Sequence, residues 1–138
     1  MDKTRRAVAE GLAKTEKNGY SNLILGGVLR AAGGEERTHA FAASLFYGTL
    51  ERQYTLDACL APFLKKPLSK LDPEVRAILR SGLYQLRYMS GVPAHAAVNE
   101  SVSLCRAMGK SSAAGLVNAV LRRAAEAPLP ESFPSEEE

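Results

Sequence analysis

The sequence contains no tryptophan, and its two cysteines and two histidines are too few and too scattered for the chemistry they usually bring. Cys59 and Cys105 form no Cys-x-x-Cys pair and no disulfide framework, so they are expected as reduced core or near-core residues of a cytoplasmic protein. His39 and His95 lie far apart, and neither has a second ligand at a metal-binding spacing. No apolar run approaches the length of a membrane span, and none follows Met1-Asp2-Lys3 that would read as a secretory leader. Gly26-Gly27 and Gly33-Gly34 lack the strand–turn–helix setting and the lysine of a phosphate-binding loop. The serines are not grouped with a histidine and an acid. No catalytic residue, metal or cofactor is therefore expected, and membrane insertion is excluded.

What is present is helical periodicity. The 138 residues are 46% hydrophobic and 24% charged, enough for one domain around one core. Seven helices are expected. The first covers about residues 4–17, with Val8, Ala9 and Leu12 on one face, and ends at Asn18-Gly19. Ser21 is expected to cap a second, which stops at Gly33-Gly34. Glu35-Glu36 suits the first turn of a third, carrying Phe41, Leu45 and Phe46 inward as far as Arg52. Thr55 is expected to cap a fourth, over residues 56–64. Asp72-Pro73-Glu74 marks the clearest start: an N-cap, a proline at the first helical position and an acid in the first turn. That fifth helix carries Val75, Ile78, Leu79, Gly82 and Leu86 at spacings of three and four, and is expected at the centre. Gly82 on its apolar face implies a close neighbour, since glycine otherwise costs helix stability. A sixth helix spans about residues 94–108, and Ser111 or Ser112 opens a seventh. The domain is expected over residues 1–127, with residues 128–138 an acidic, proline-containing tail or linker.

Charge is unevenly distributed. All 18 Lys and Arg lie between Lys3 and Arg123, while four of the 15 acids, Glu131 and Glu136 to Glu138, sit in the tail. Set the tail aside, and 18 cations face 11 acids, an excess of seven that suits a polyanionic partner. Lys3, Arg5 and Arg6 crowd the positive end of the first helix, at a cost in dipole energy that phosphate contacts would recover. Arg76 and Arg80, four apart on the fifth helix, either continue the basic surface or pair with nearby acids. Lys65, Lys66 and Lys70 read as a solubilising connector. Five tyrosines could stack on bases, although Tyr84 suits the edge of the core.

The order and spacing of several segments resemble the NusB family over roughly residues 4–126. They are Leu71-Asp72-Pro73-Glu74-Val75-Arg76, Ile78-Leu79-Arg80, Gly82-Leu83-Tyr84-Gln85-Leu86, Val92-Pro93, Ala97-Val98-Asn99-Glu100-Ser101-Val102, and Gly115-Leu116-Val117-Asn118-Ala119-Val120-Leu121-Arg122-Arg123. The resemblance implies an all-α bundle of about seven helices in two packed subgroups. It also implies one of two settings. One is the free transcription antitermination factor, which holds a nascent rRNA leader beside ribosomal protein S10. The other is the N-terminal domain of the RsmB (Sun/Fmu) rRNA cytosine-5 methyltransferases, which helps position rRNA for a catalytic domain. Phe46-Tyr47-Gly48-Thr49-Leu50, Gln85 in place of the usual glutamate, and the terminal Arg122-Arg123 resemble the second branch, as does the linker-like Leu129-Pro130-Glu131. The methyl-donor site and cysteine pair of such enzymes have no counterpart here, so the chain itself is not expected to be an enzyme. By position, the family's RNA surface implies Arg5 and Arg6, Arg76 and Arg80, and Lys110 with Ser111 and Ser112 as RNA contacts, and the charge at the helix start adds Lys3. Leu116 stands where the free factor often has an aromatic, which removes one stacking platform. Asn99 and Glu100 are expected to tie helices together. A protein-interaction module without RNA affinity is the alternative from another class.

Overall fold

A computed structural model describes residues 2–129, which form seven α-helices and, among those residues, no strand. They are α1 (Lys3–Asn18), α2 (Ser21–Ala32), α3 (Glu36–Glu51), α4 (Gln53–Leu60), α5 (Pro73–Tyr88), α6 (Ala94–Ala107) and α7 (Ala114–Glu126). Short 3-10 turns at Ala61–Phe63, Leu68–Lys70 and Ser111–Ala113 complete the chain. Most of the acidic tail expected over residues 128–138, including Glu131 and Glu136 to Glu138, lies outside the described residues.

Local chemistry sets both ends of α1. Asp2 caps α1 by accepting from the N–H groups of Thr4 and Arg5 at 2.9 and 3.1 Å. Gly19 ends it at φ 72°, a left-handed turn that glycine adopts without a Cβ clash. Three expected caps differ in the structure. Ser21 is the first residue of α2 rather than its cap. Thr55 is a buried residue inside α4, because α4 follows α3 across the single joint Arg52 and no loop needs a cap. Ser111 opens a 3-10 turn, and α7 begins only at Ala114. Asp72 does occupy the N-cap position of α5, with Pro73 behind it, but its carboxylate makes no cap bond. It accepts instead from Lys110 Nζ at 3.0 Å, joining the start of α5 to the turn before α7.

The elements form two groups that share α5. Helices α1, α2 and α3 pack on one another, and α6 and α7 pack together. The central α5 touches α1, α3, α4, α6 and α7. This is why α5 buries Val75, Ala77, Ile78, Leu79, Leu83 and Gln85 as well as two small residues, Ser81 and Gly82. The core is one continuous cluster, in which Val8, Leu45, Phe46, Leu56, Ile78, Leu79 and Leu121 are wholly shielded from solvent. Each such leucine or phenylalanine contributes about 1.5–3 kcal/mol by burial. The buried hydroxyls of Ser81 and Ser101 donate to carbonyls one turn back, both at 2.8 Å, so neither is left unsatisfied in the core.

Glycine makes the closest crossings possible. A Cβ on Gly82 would lie 2.7 Å from Ser101 Oγ on α6 and 2.8 Å from Leu121 Cδ1 on α7. Gly48 on α3 likewise seats the Tyr84 ring, with Cζ 2.2 Å from where a Cβ would stand. Gly82→Ala is therefore expected to lower stability by about 1–2 kcal/mol, overpacking outweighing the gain in helix propensity. Gly26→Ala is the contrast, since its Cβ would meet only Arg30 Nη1 at 3.5 Å. It is expected to raise stability by up to about 1 kcal/mol. Urea denaturation of both variants checks the opposite signs.

Candidate nucleic-acid interface

Helix α1 buries Val8, Ala9 and Leu12 and turns a charged stripe outward. Lys3, Arg6, Glu10, Lys14 and Lys17 follow at spacings of three and four, so they share one side of the helix. Arg5 is off that stripe. Its Nε donates to Gln85 Oε1 at 2.6 Å, its guanidinium pairs with Asp2, and it stands 5.1 Å from the Phe41 ring centroid. With its side chain 13% exposed, Arg5 is a tie between α1, α3 and α5 more than an open cation. The cost of a cation at this helix start is met inside the protein.

Arg76 and Arg80 are also engaged. Arg76 grips Glu16 in a fork, Nη2 to Oε1 at 2.6 Å and Nε at 3.1 Å from both carboxylate oxygens. Its Nη1 donates to the carbonyls of Leu68 and Leu71. Arg80 holds the other oxygen of Glu16 at 2.8 Å and forks onto Asp57 at 2.7 and 2.9 Å. The four side chains carry no net charge and join α1, α4 and α5. Of the two readings the sequence left open for these arginines, pairing with nearby acids describes their geometry. Burial by itself would push the Glu16 carboxyl up. The hydrogen bonds and charges of Arg76 and Arg80 outweigh that and hold it below its ordinary value.

The open cations lie on α1. Arg6, Glu10, Lys14 and Lys17 line a groove with Glu74 at the start of α5 and Met108 after α6. Lys14 and Lys17 are exposed and, among the described residues, form no ion pair; the same is true of Lys3. Arg6 is half-buried and paired with Glu10 at 3.0 Å in a solvent-screened contact, which a competing phosphate can replace. Lys110 adjoins the groove's α5 edge, 3.0 Å from Asp72 and 3.8 Å from Glu74. The hydrogen bond to Asp72, with the charges of Asp72 and Glu74, pushes the Lys110 ammonium up, so it stays charged. Ser111 and Ser112 follow it as exposed residues. The structure thus sets Arg6 in the groove with Lys3 on the same stripe, ties Lys110 to the groove's Glu74, and engages Arg5, Arg76 and Arg80 in ion pairs and hydrogen bonds within the protein. Lys14 and Lys17 were not nominated from sequence, although their spacing from Lys3 and Arg6 was the available signal.

Other chemistry is sparse. Cys59 and Cys105 are buried, and burial pushes both thiols up, which makes them poor nucleophiles. Among the described residues no three His, Cys, Asp or Glu side chains gather as a metal site, and no helix is long and apolar enough to cross a membrane.

The NusB family model matches residues 2–126. The chain belongs to the NusB family. Curated relatives of this NusB domain include larger proteins. It is 38% identical over 125 residues to the "Probable ribosomal RNA small subunit methyltransferase B" of Bacillus subtilis, covering 88% of this chain and 28% of that protein. It is 43% identical over 129 residues to the ribosomal RNA small subunit methyltransferase B of Thermus thermophilus, covering 93% and 31%. The enzyme of the same name in Pseudomonas putida is 44% identical over 90 residues, 65% of this chain and 20% of that protein. The chain therefore spans less than a third of the length of these curated relatives, and matches the N-terminal part of the methyltransferases.

The Glu16 network makes a signed prediction. A carboxyl held below its ordinary value of 4.5 stabilises the fold above that pH, and the contribution disappears as pH falls through the lowered value. Glu16→Gln is expected to cost about 1–2 kcal/mol near neutrality, the partial exposure of the site moderating the loss. The gap from the unaltered protein should narrow steadily below pH 4.5. Urea denaturation across a pH series measures it, and a gap that is constant with pH would show that Glu16 acts only by packing.

Proposed function

We propose that this NusB domain binds single-stranded RNA along α1 and the adjoining turn before α7, and that it positions small-subunit rRNA for cytosine-5 methylation by a catalytic domain in the cytoplasm. The observation that carries the reading is the groove where α1 meets the start of α5 and the end of α6, with the turn before α7 tied to its α5 edge through Lys110 and Glu74. Arg6, Lys14 and Lys17 line it from α1, and Lys110 stands 3.8 Å from Glu74 at its α5 edge. Lys3 extends the α1 stripe toward the helix start, and Ser111 and Ser112 offer hydroxyls for phosphate or sugar oxygens. Arg5, Arg76 and Arg80 serve the same face indirectly, by fixing α1 on α5. Membership of the NusB family and the names of the methyltransferase relatives support RNA as the partner.

The mechanism is equilibrium binding. Each lysine or arginine that neutralises a phosphate releases condensed counterions, so affinity falls with salt by about 0.7 in log–log slope per contact on a single strand. Such contacts position RNA, and polar groups at the groove edge supply modest preference among sequences. In the alternative setting the same face would hold an rRNA leader beside ribosomal protein S10. The methyltransferase names of the relatives favour the first.

Fluorescence anisotropy with single-stranded small-subunit rRNA and leader fragments across a salt series tests the reading. Lys14→Gln/Lys17→Gln is expected to weaken binding and flatten the salt slope by roughly 1.4, with the melting temperature unchanged. Arg80→Gln should instead lower the melting temperature, because it strips Asp57 of its partner and Glu16 of one of its two. Preference for the leader fragment would move the assignment to the antitermination setting. No affinity for any RNA at low salt would overturn the proposal in favour of a protein partner.

A further inference from the structure

A second groove, between α6 and α7, has a composition that the first lacks. Asn99, Ser103 and Arg106 from α6 face Gly115, Asn118 and Arg122 from α7. No carboxylate lines it, whereas Glu10 and Glu74 stand in the α1 groove. Arg106 and Arg122 are exposed, and among the described residues neither pairs with an acid. The nearest acids in sequence are directed elsewhere or outside the groove: Glu100 accepts from the Asp2 backbone N–H at 3.1 Å, and Glu126 is not among the lining residues. Arg122 Nε donates to Asn118 Oδ1 at 2.9 Å, which fixes the guanidinium over the groove and leaves its two terminal nitrogens unbonded by that contact. Asn99 was expected to tie helices together. It is exposed at this groove instead, and Glu100 alone makes the tie, to the start of α1.

The end of α6 contributes to both grooves. Arg106 lines one and Met108, two residues on, lines the other. The turn at Lys110 and Ser111–Ala113 then crosses between them into Ala114 and Gly115. A strand lying along α1 and passing over that turn meets Asp72 and Glu74 only where Lys110 is paired with them, and then enters a groove lined by no carboxylate.

We infer that the α6–α7 groove is a second RNA subsite, in which Arg106 and Arg122 bind backbone phosphates while the carboxamides of Asn99 and Asn118 meet base or sugar edges. Two guanidiniums suit phosphate oxygens, and carboxamides both donate and accept, as unstacked bases require. The subsite rests on the RNA-binding reading and extends the path of the strand beyond the α1 face. Gly115 keeps the floor open, since a Cβ there would meet nothing within 4 Å.

The test uses the full chain and a single-stranded small-subunit rRNA fragment of about 16 nucleotides, long enough to cover both grooves. Arg106→Gln/Arg122→Gln should weaken binding at low salt and flatten the salt slope by about 0.7 for each phosphate that is no longer neutralised. Asn99→Asp, which places a carboxylate in the groove, should weaken binding further at low salt than at high salt. In the unaltered, 15N-labelled protein the side-chain amide signals of Asn99 and Asn118 should shift as RNA is added, a readout independent of any variant's folding. If Lys14→Gln/Lys17→Gln weakens binding while the arginine pair and the amide signals are indifferent to RNA, the subsite is overturned and RNA binding through α1 stands. If the unaltered protein binds no RNA, both fall together.

Discussion

Glu16 stands between two guanidiniums, and the placement of α1 depends on it. The first helix has an apolar face that packs on α2, α3 and α5, but burial is non-directional and would tolerate rotation or sliding. The fork from Arg76, the second hold from Arg80 and the tie from Arg5 to Gln85 fix its register along α5. Charged hydrogen bonds of this kind are shorter and more directional than neutral ones. With the register set, Arg6, Lys14 and Lys17 must face outward beside the start of α5. The cationic groove is therefore a consequence of an ion network that itself carries no net charge.

This division of labour among cations is the main physical feature of the surface. Arg5, Arg76 and Arg80 each meet acceptors geometrically suited to a planar fork, and lysine would not replace them there. Lysines and the less constrained arginines supply the field that reaches solvent. A phosphate strand does not need forks at every step, because counterion release depends on neutralised charge more than on geometry. The rigid arginines shape the face and the mobile cations populate it.

The sequence disclosed the fold well because helix ends are local. Gly19, Gly33 and the Asp72-Pro73-Glu74 start carry their geometry in neighbouring residues, and Gly82 on an apolar stripe announced a close crossing. Thr55 and Ser111 misled for the same reason. Each has the chemistry of a cap, but tertiary packing drew Thr55 inside α4, and a 3-10 turn took Ser111. The candidate site was less legible. Whether Arg5, Arg76 or Arg80 faces solvent depends on Gln85, Glu16 and Asp57, which lie 80, 60 to 64 and 23 residues away. No local pattern encodes such pairings. Lys14 and Lys17 could have been found by extending the stripe from Lys3 and Arg6. The open face of Asn99 required knowing that α7 lies across from it.

The bonds that seat α1 have a further consequence, for the order in which the chain can fold as it is made. Asp2 is tied to Glu100, Arg5 to Gln85 and Glu16 to Arg76, so the first of the seven helices to be synthesised is joined to segments made 60 to 98 residues later. Val8, Ala9 and Leu12 cannot be fully covered until α5 has emerged. Long closures of this kind slow folding and leave apolar surface open to misassociation in the interval. α1 is made before the other six helices but is among the last to be sealed, and its cationic stripe acquires its final geometry only when most of the domain is complete.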